Sequence, residues 1–98
     1  MTILAIETST QVCSAAWCKD GVCVAERVQE TGGNHAAILP VFIDELLAEA
    51  RQNGWQADAV AVSEGPGSYT GLRIGTSTAI GLCYGLSIPL IPLSTLLV

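Results

Sequence analysis

Histidine, positive charge and regular ligand spacings are all scarce in this 98-residue chain. It has one histidine, His35, four lysines and arginines together, and no charged residue in the 25 positions after Arg73. A single histidine without partners makes a poor metal site. Cys13, Cys18, Cys23 and Cys83 include no Cys-x-x-Cys pair, so no metal centre is expected. With a net charge of −5, the chain lacks the basic footprint of a nucleic-acid binder. There is no basic n-region or cleavage site at the start, so no signal peptide is expected, and the expected compartment is the cytoplasm. The uncharged run after Arg73 raises the question of a membrane span, but Gly81, Gly85, Pro89 and Pro92 divide it into a helix and a short strand.

What is present describes one small globular domain. Half the residues are hydrophobic and 13% are charged, which argues against disorder and allows a modest core. Thr2 to Glu7 reads as strand one, followed by a polar turn, Thr8-Ser9-Thr10-Gln11. Val12 to Cys18 is strand two and Val22 to Val28 strand three, joined at Asp20-Gly21, a strong hairpin signal. Such a turn sets Cys18 opposite Cys23, where a reducing compartment disfavours a disulfide. Strand three places Val22, Val24 and Val28 on one face, with Glu26 as the exception, and reads as a sheet edge.

A helix is expected from Asn34 or His35 to Asn53, closed by Gly54, with Pro40 tolerated only in its first turns. Leu39, Phe42, Ile43, Leu46, Leu47 and Ala50 share its core face. Ala37, Val41 and Ala48 form a second apolar stripe that a simple domain does not need. Ala57 to Val62 is strand four, Thr70 to Leu86 a helix rich in small residues, and Leu90 to Leu93 strand five, with Ser94 able to cap a further helix. The order is β-β-β-α-β-α-β, a mixed sheet of the α/β class. The handedness of crossovers puts strand four beside strand one.

The junction between strand four and the second helix, Ser63-Glu64-Gly65-Pro66-Gly67-Ser68-Tyr69-Thr70-Gly71-Leu72-Arg73, concentrates glycine. Its spacing is one residue too long for a dinucleotide fingerprint, no later acidic residue exists to hold a ribose, and no Gly-Lys-Ser/Thr follows. Ala61-Val62-Ser63-Glu64-Gly65 loosely resembles a nucleophile elbow, but Pro66-Gly67 interrupts the helix such a serine requires. Spacing leaves a structural turn and a ligand-contacting loop both open.

The wording of residues 65 to 75, Gly-Pro-Gly-Ser-Tyr-Thr-Gly-Leu-Arg-Ile-Gly, resembles the signature of the bacterial TsaB (YeaZ) family. Ile3-Leu4-Ala5-Ile6-Glu7-Thr8-Ser9-Thr10, His35 ahead of Leu39-Pro40, and Ile88-Pro89-Leu90 leading to Ser94-Thr95-Leu96 agree with it in order. The resemblance implies a ribonuclease-H-like, actin-like (ASKHA) lobe, with residues 1–98 as the N-terminal lobe and a second lobe beyond it. It also implies a non-catalytic partner of the TsaD paralogue in making N6-threonylcarbamoyladenosine on tRNA. The TsaE ATPase would join the complex, tRNA would be held only through the complex, and ATP or ADP would matter only with TsaD and TsaE. TsaD carries a paired-histidine metal motif where this chain reads Ser94-Thr95-Leu96-Leu97-Val98, so no catalytic or metal residue and no tightly bound cofactor are expected. Two alternatives remain open: an actin-like ATPase or phosphotransferase, and a glycoprotease-like (peptidase M22-like) hydrolase.

The candidate ligand residues are Glu7, Thr8, Ser9 and Thr10 at the end of strand one, and Gly65, Gly67, Ser68, Gly71 and Arg73 around the glycine loop. Glu7 can act near a metal–phosphate group or simply end a strand, with Asp20, Asp58 and Glu64 as further carboxylates. Arg73 opposes the helix dipole, so a carboxylate partner is expected for it. Ala37, Val41 and Ala48, with Gly75, Thr78 and Gly81, are the candidate partner surface, apolar enough in sum to need covering. In the family this surface meets TsaD and lets isolated chains self-pair, so a homodimer is the expected state alone.

Overall fold

The computed structural model describes residues 1–8, 13–29, 35–63 and 69–93, with backbone alone at 35, 36, 69–74 and 93. The elements are β1 (Thr2–Glu7), β2 (Cys13–Lys19), β3 (Val22–Gln29), α1 (His35–Asn53), β4 (Ala59–Ser63), α2 (Tyr69–Leu86) and β5 (Leu90–Leu93). They form one five-stranded sheet in the order β3-β2-β1-β4-β5. β1 runs antiparallel to β2 and parallel to β4, which is parallel to β5. The expected order, the edge position of β3 and the pairing of β4 with β1 are all observed.

Both helices pack on one face of the sheet. Leu4 and Ile6 of β1, Cys13, Ala15 and Trp17 of β2, and Val60 and Val62 of β4 meet Leu39, Ile43, Leu46 and Ala50 of α1 and Ala79 of α2. Side chains alternate across a strand, so residues two apart share this core. Leu39 and Leu46 are fully buried, each stabilising the fold by about 2 kcal/mol. Trp17 is buried as well. Its indole N–H donates to the Leu46 carbonyl at 2.8 Å, which satisfies its polar atom, and Trp55 leans on its ring with centroids 6.4 Å apart.

The ends of the elements follow from local chemistry. Asp20 (φ +53°) and Gly21 (φ +83°) both take left-handed backbone, as a two-residue primed hairpin requires. Gly54 closes α1 at φ +73°, and the Trp55 N–H reaches back to the Ala50 carbonyl at 2.9 Å, the Schellman closure. α2 ends the same way, Ile88 N–H to Cys83 carbonyl at 3.1 Å, but the left-handed residue is Ser87 (φ +58°). Arg27 ties the edge strand to α1 through Glu45 and Glu49, each at 2.9 Å.

One expectation fails in β3. The pairing Lys19↔Val22 and Cys18↔Cys23 gives way to Trp17↔Ala25, a register shift between Trp17 and Cys18. One extra residue on β3 resets the period of two. Paired residues share a face, so Val22 lies on the helix side with Lys19 and Trp17. Val28 and Glu26, opposite Ser14 and Ala16, lie on the other side. Val22, Val24 and Val28 therefore do not form one face, and Glu26 is in step with its neighbours.

Candidate functional site

β1 and β4 are neighbours whose chains leave in opposite directions, β1 toward β2 and β4 toward β5. Open α/β sheets bind ligands beyond the carboxyl ends of parallel strands at such a switch point. Ile6 pairs with Val62, so Glu7 and Ser63, the last residues of their strands, stand side by side there. Beneath them, on the sheet face that carries neither helix, is a groove of about 260 Å³ edged by Glu7, Ser14, Glu26 and Ser63, with Ala16 and Ala61 as small floor residues. Carboxylates and hydroxyls suit a hard cation carrying its own ligands. Among the described residues no cation faces the groove to receive a bare phosphate, and no cluster of three metal-capable side chains forms.

Thr8 follows Glu7 but turns inward and is fully buried. A Cβ on Gly75 would overlap its Oγ1, with its Cβ only 3.4 Å away, so the missing side chain of Gly75 is what lets α2 seat on the end of β1. Gly75 is buried by its own chain, and of the six residues expected on the partner surface it alone faces inward.

The other candidates divide by position. Ser9, Thr10, Gly65, Gly67 and Ser68, with Glu64, lie outside the described residues. The backbones of Gly71 and Arg73 belong to the early turns of α2, and that of His35 opens α1. Asp20 and Asp58 do not join Glu7. The Asp20 carboxylate accepts from the Met1 amine at 2.6 Å, and that of Asp58 accepts from the Thr2 N–H at 2.7 Å. Both sit at the start of β1, roughly 17 Å from its far end at ~3.3 Å per residue. The amine's hydrogen bond and charge hold the Asp20 carboxyl below the usual carboxylate range, and Asp20 raises the amine in turn.

The helix surface away from the sheet is mixed, with exposed Asp44, Glu45 and Arg51 on α1, but it carries several exposed apolar side chains. Val41 is 49% exposed, Ile80 53% and Tyr84 89%; Ala37 and Gly81 are exposed beside them, and Ala48 and Thr78 are half-buried. Ile80 and Tyr84, four apart, share one face of α2. Sequence reasoning named Val41 and Gly81 but missed Ile80 and Tyr84, although the spacing Ser77, Ile80, Gly81, Tyr84 would have found them. No helix among the described residues is long and apolar enough to cross a membrane.

The strand order, the parallel β1-β4-β5 core and the switch-point groove define the class: an α/β lobe of the ribonuclease-H-like, actin-like kind. The chain belongs to the family of TsaD, tRNA N6-adenosine threonylcarbamoyltransferase, whose family model matches residues 25–98. It is similar to the tRNA threonylcarbamoyladenosine biosynthesis protein TsaB of Haemophilus influenzae, 43% identical over 98% of this chain and 40% of that protein. The TsaB of Escherichia coli is 38% identical over 99% of this chain and 42% of that protein. The transferase of Geobacter sp. is 33% identical over 93% of this chain and 31% of its own length. Among solved structures, YeaZ from Pseudomonas aeruginosa superposes with a TM-score of 0.81 at 34% identity, over 95% of this chain and 43% of that one. The resemblance to TsaB seen in the glycine-rich signature therefore extends along nearly the whole chain, which spans about two fifths of the length of these TsaB relatives.

Proposed function

We propose that this chain is the N-terminal lobe of a TsaB-like protein, a non-catalytic partner of a TsaD transferase in forming threonylcarbamoyladenosine on tRNA. The observation that carries this reading is the set of apolar side chains that α1 and α2 leave open to solvent, Val41, Ile80 and Tyr84. Large exposed apolar patches mark interaction sites, and small neighbours such as Ala37 and Gly81 let another helix come close. The family model that matches is the transferase's own, yet the relatives over nearly the full chain are named TsaB. Where TsaD carries its paired histidines, this chain reads Ser94-Thr95-Leu96-Leu97-Val98, which favours the TsaB side of the family. The net charge of −5 fits a subunit that leaves tRNA to its partner. Alone, the same surface pairs two copies, and TsaD competes for it. ATP or ADP enters through the assembly with TsaD and the TsaE ATPase.

The test is co-expression of the full-length protein with TsaD from the same organism, followed by size-exclusion chromatography. Parent protein should co-elute with TsaD and elute as a dimer without it. Val41→Glu puts a charge into an apolar contact, at a cost of several kcal/mol if fully buried there. It should lose both associations while circular dichroism stays native, because Val41 is outside the core. A variant that still dimerises and still binds TsaD would place the interface elsewhere.

A further inference from the structure

Two cysteines lie directly opposite one another where β3 bulges. Cys18 pairs with Cys23, one step from the Lys19↔Val22 pair that flanks the two-residue turn. In a hairpin of this length the flanking pair exchanges hydrogen bonds and the next pair does not. Non-hydrogen-bonded partners approach to about 4.5 Å between Cα atoms, within the roughly 4.4–6.8 Å that a disulfide spans. Because the register shift comes after this pair, both side chains leave the sheet on the face away from the helices, the same face as Glu26.

The two thiols differ in access. Cys23 is exposed and Cys18 half-buried, and both are free. The Cys23 thiol makes only a long contact, 3.5 Å, with the Ala25 carbonyl, so little holds it in place. Burial raises the Cys18 thiol, and Cys23 and Glu26 beside it raise it further, so Cys18 resists becoming the attacking thiolate. Cys13 and Cys83 are not placed this way: Cys13 is in the core, and Cys83 is across the fold on α2.

We propose that Cys18 and Cys23 form a reversible redox-modification site that takes a low-molecular-weight disulfide of the glutathione type as its oxidant. Cys23, as its thiolate, attacks one sulfur of the small disulfide, forming a mixed disulfide and releasing one small thiolate, which takes up a proton. Cys18 then gives up its proton, its sulfur attacks the Cys23 sulfur, and the second small thiol leaves. Two protein thiols lose two electrons and two protons, and the small disulfide gains them. Disulfides in reducing compartments are transient and redox-sensing when they occur, and an exposed hairpin tip is accessible in both directions.

Trypsin provides the readout because Lys19 lies between the two cysteines. Cleavage after Lys19 and Arg27 separates residues 1–19 from residues 20–27. The full-length protein, treated with glutathione disulfide, blocked with an alkylating agent and digested, should give these two peptides joined, with two free thiols lost. Reduced glutathione should part them again. Cys18→Ser should abolish the join and leave glutathione on Cys23, whereas Cys13→Ser should leave the join intact. Circular dichroism checks that each variant is folded. Glutathione retained separately on both cysteines of the parent, no reaction at either, or a join that survives Cys18→Ser would each overturn the proposal.

Discussion

Gly75 and Gly81 stand on the same helix, yet replacing each with alanine should shift stability in opposite directions. In a helix interior alanine is favoured over glycine by about 1 kcal/mol. A Cβ at Gly81 meets nothing within 4 Å, so Gly81→Ala should gain most of that amount. At Gly75 the added Cβ overlaps Thr8 Oγ1. Thr8 is fully buried and has no long flexible end to swing away, so the backbone of α2 or of the β1 end must shift. Overpacking of this kind costs about 1–3 kcal/mol, which outweighs the propensity gain in most of that range. Gly75→Ala should therefore be less stable by up to about 2 kcal/mol, or several degrees in melting temperature for a domain of this size. Thr8→Ala removes the obstructing atoms and also costs stability, since a buried hydroxyl is lost. In the double variant the steric part disappears, so a cycle of urea unfolding curves with a constant m-value should show coupling of about 1–2 kcal/mol. If Gly75→Ala stabilises as much as Gly81→Ala, or if the two changes simply add, α2 does not seat on Thr8 as described.

Two further outcomes are expected. Ser87 closes α2 at φ +58°, where a Cβ costs about 1–2 kcal/mol, so after glycine's own entropic cost of about 0.5–1 kcal/mol Ser87→Gly should stabilise the fold by about 0.5–1 kcal/mol, read as a higher urea midpoint; a lower midpoint would show that the serine side chain stabilises that end. Asp20→Asn keeps a residue tolerant of left-handed backbone but removes the partner of the Met1 amine. Because the Asp20 carboxyl is lowered and the amine raised, the pair stabilises the fold between their ordinary values. That contribution fades as pH falls through the lowered carboxyl or rises through the raised amine. Thermal melts should show a small parent advantage near neutral pH that closes in strong acid and in alkali, and an advantage that does not vary with pH would contradict the ion pair.

How far the sequence could be read depended on how local each feature was. Asp20-Gly21 and Gly54 carry their own backbone requirement, so the hairpin and the end of α1 were visible from two residues and one. Leu39, Ile43, Leu46 and Ala50 announce a helix face by period alone, and crossover handedness then puts β4 beside β1. The misreadings all involve pairings between distant positions. The bulge after Cys23 exists only relative to β2, so no inspection of Val22, Val24 and Val28 could show that their period was broken. Asp58 looked like a candidate ligand because it is acidic and near a strand, but strand direction decides which end of the sheet it occupies, and it caps the start of β1. The glycines of α2 show this most plainly. A glycine says that something comes close without saying what, and for Gly75 the neighbour is Thr8, far away in the chain but adjacent in the fold. Glu7 was visible as a strand end, but the groove it edges with Ser14, Glu26 and Ser63 joins four strands. Its position follows from topology, because only a sheet whose order reverses between β1 and β4 leaves both carboxyl ends facing the same open space.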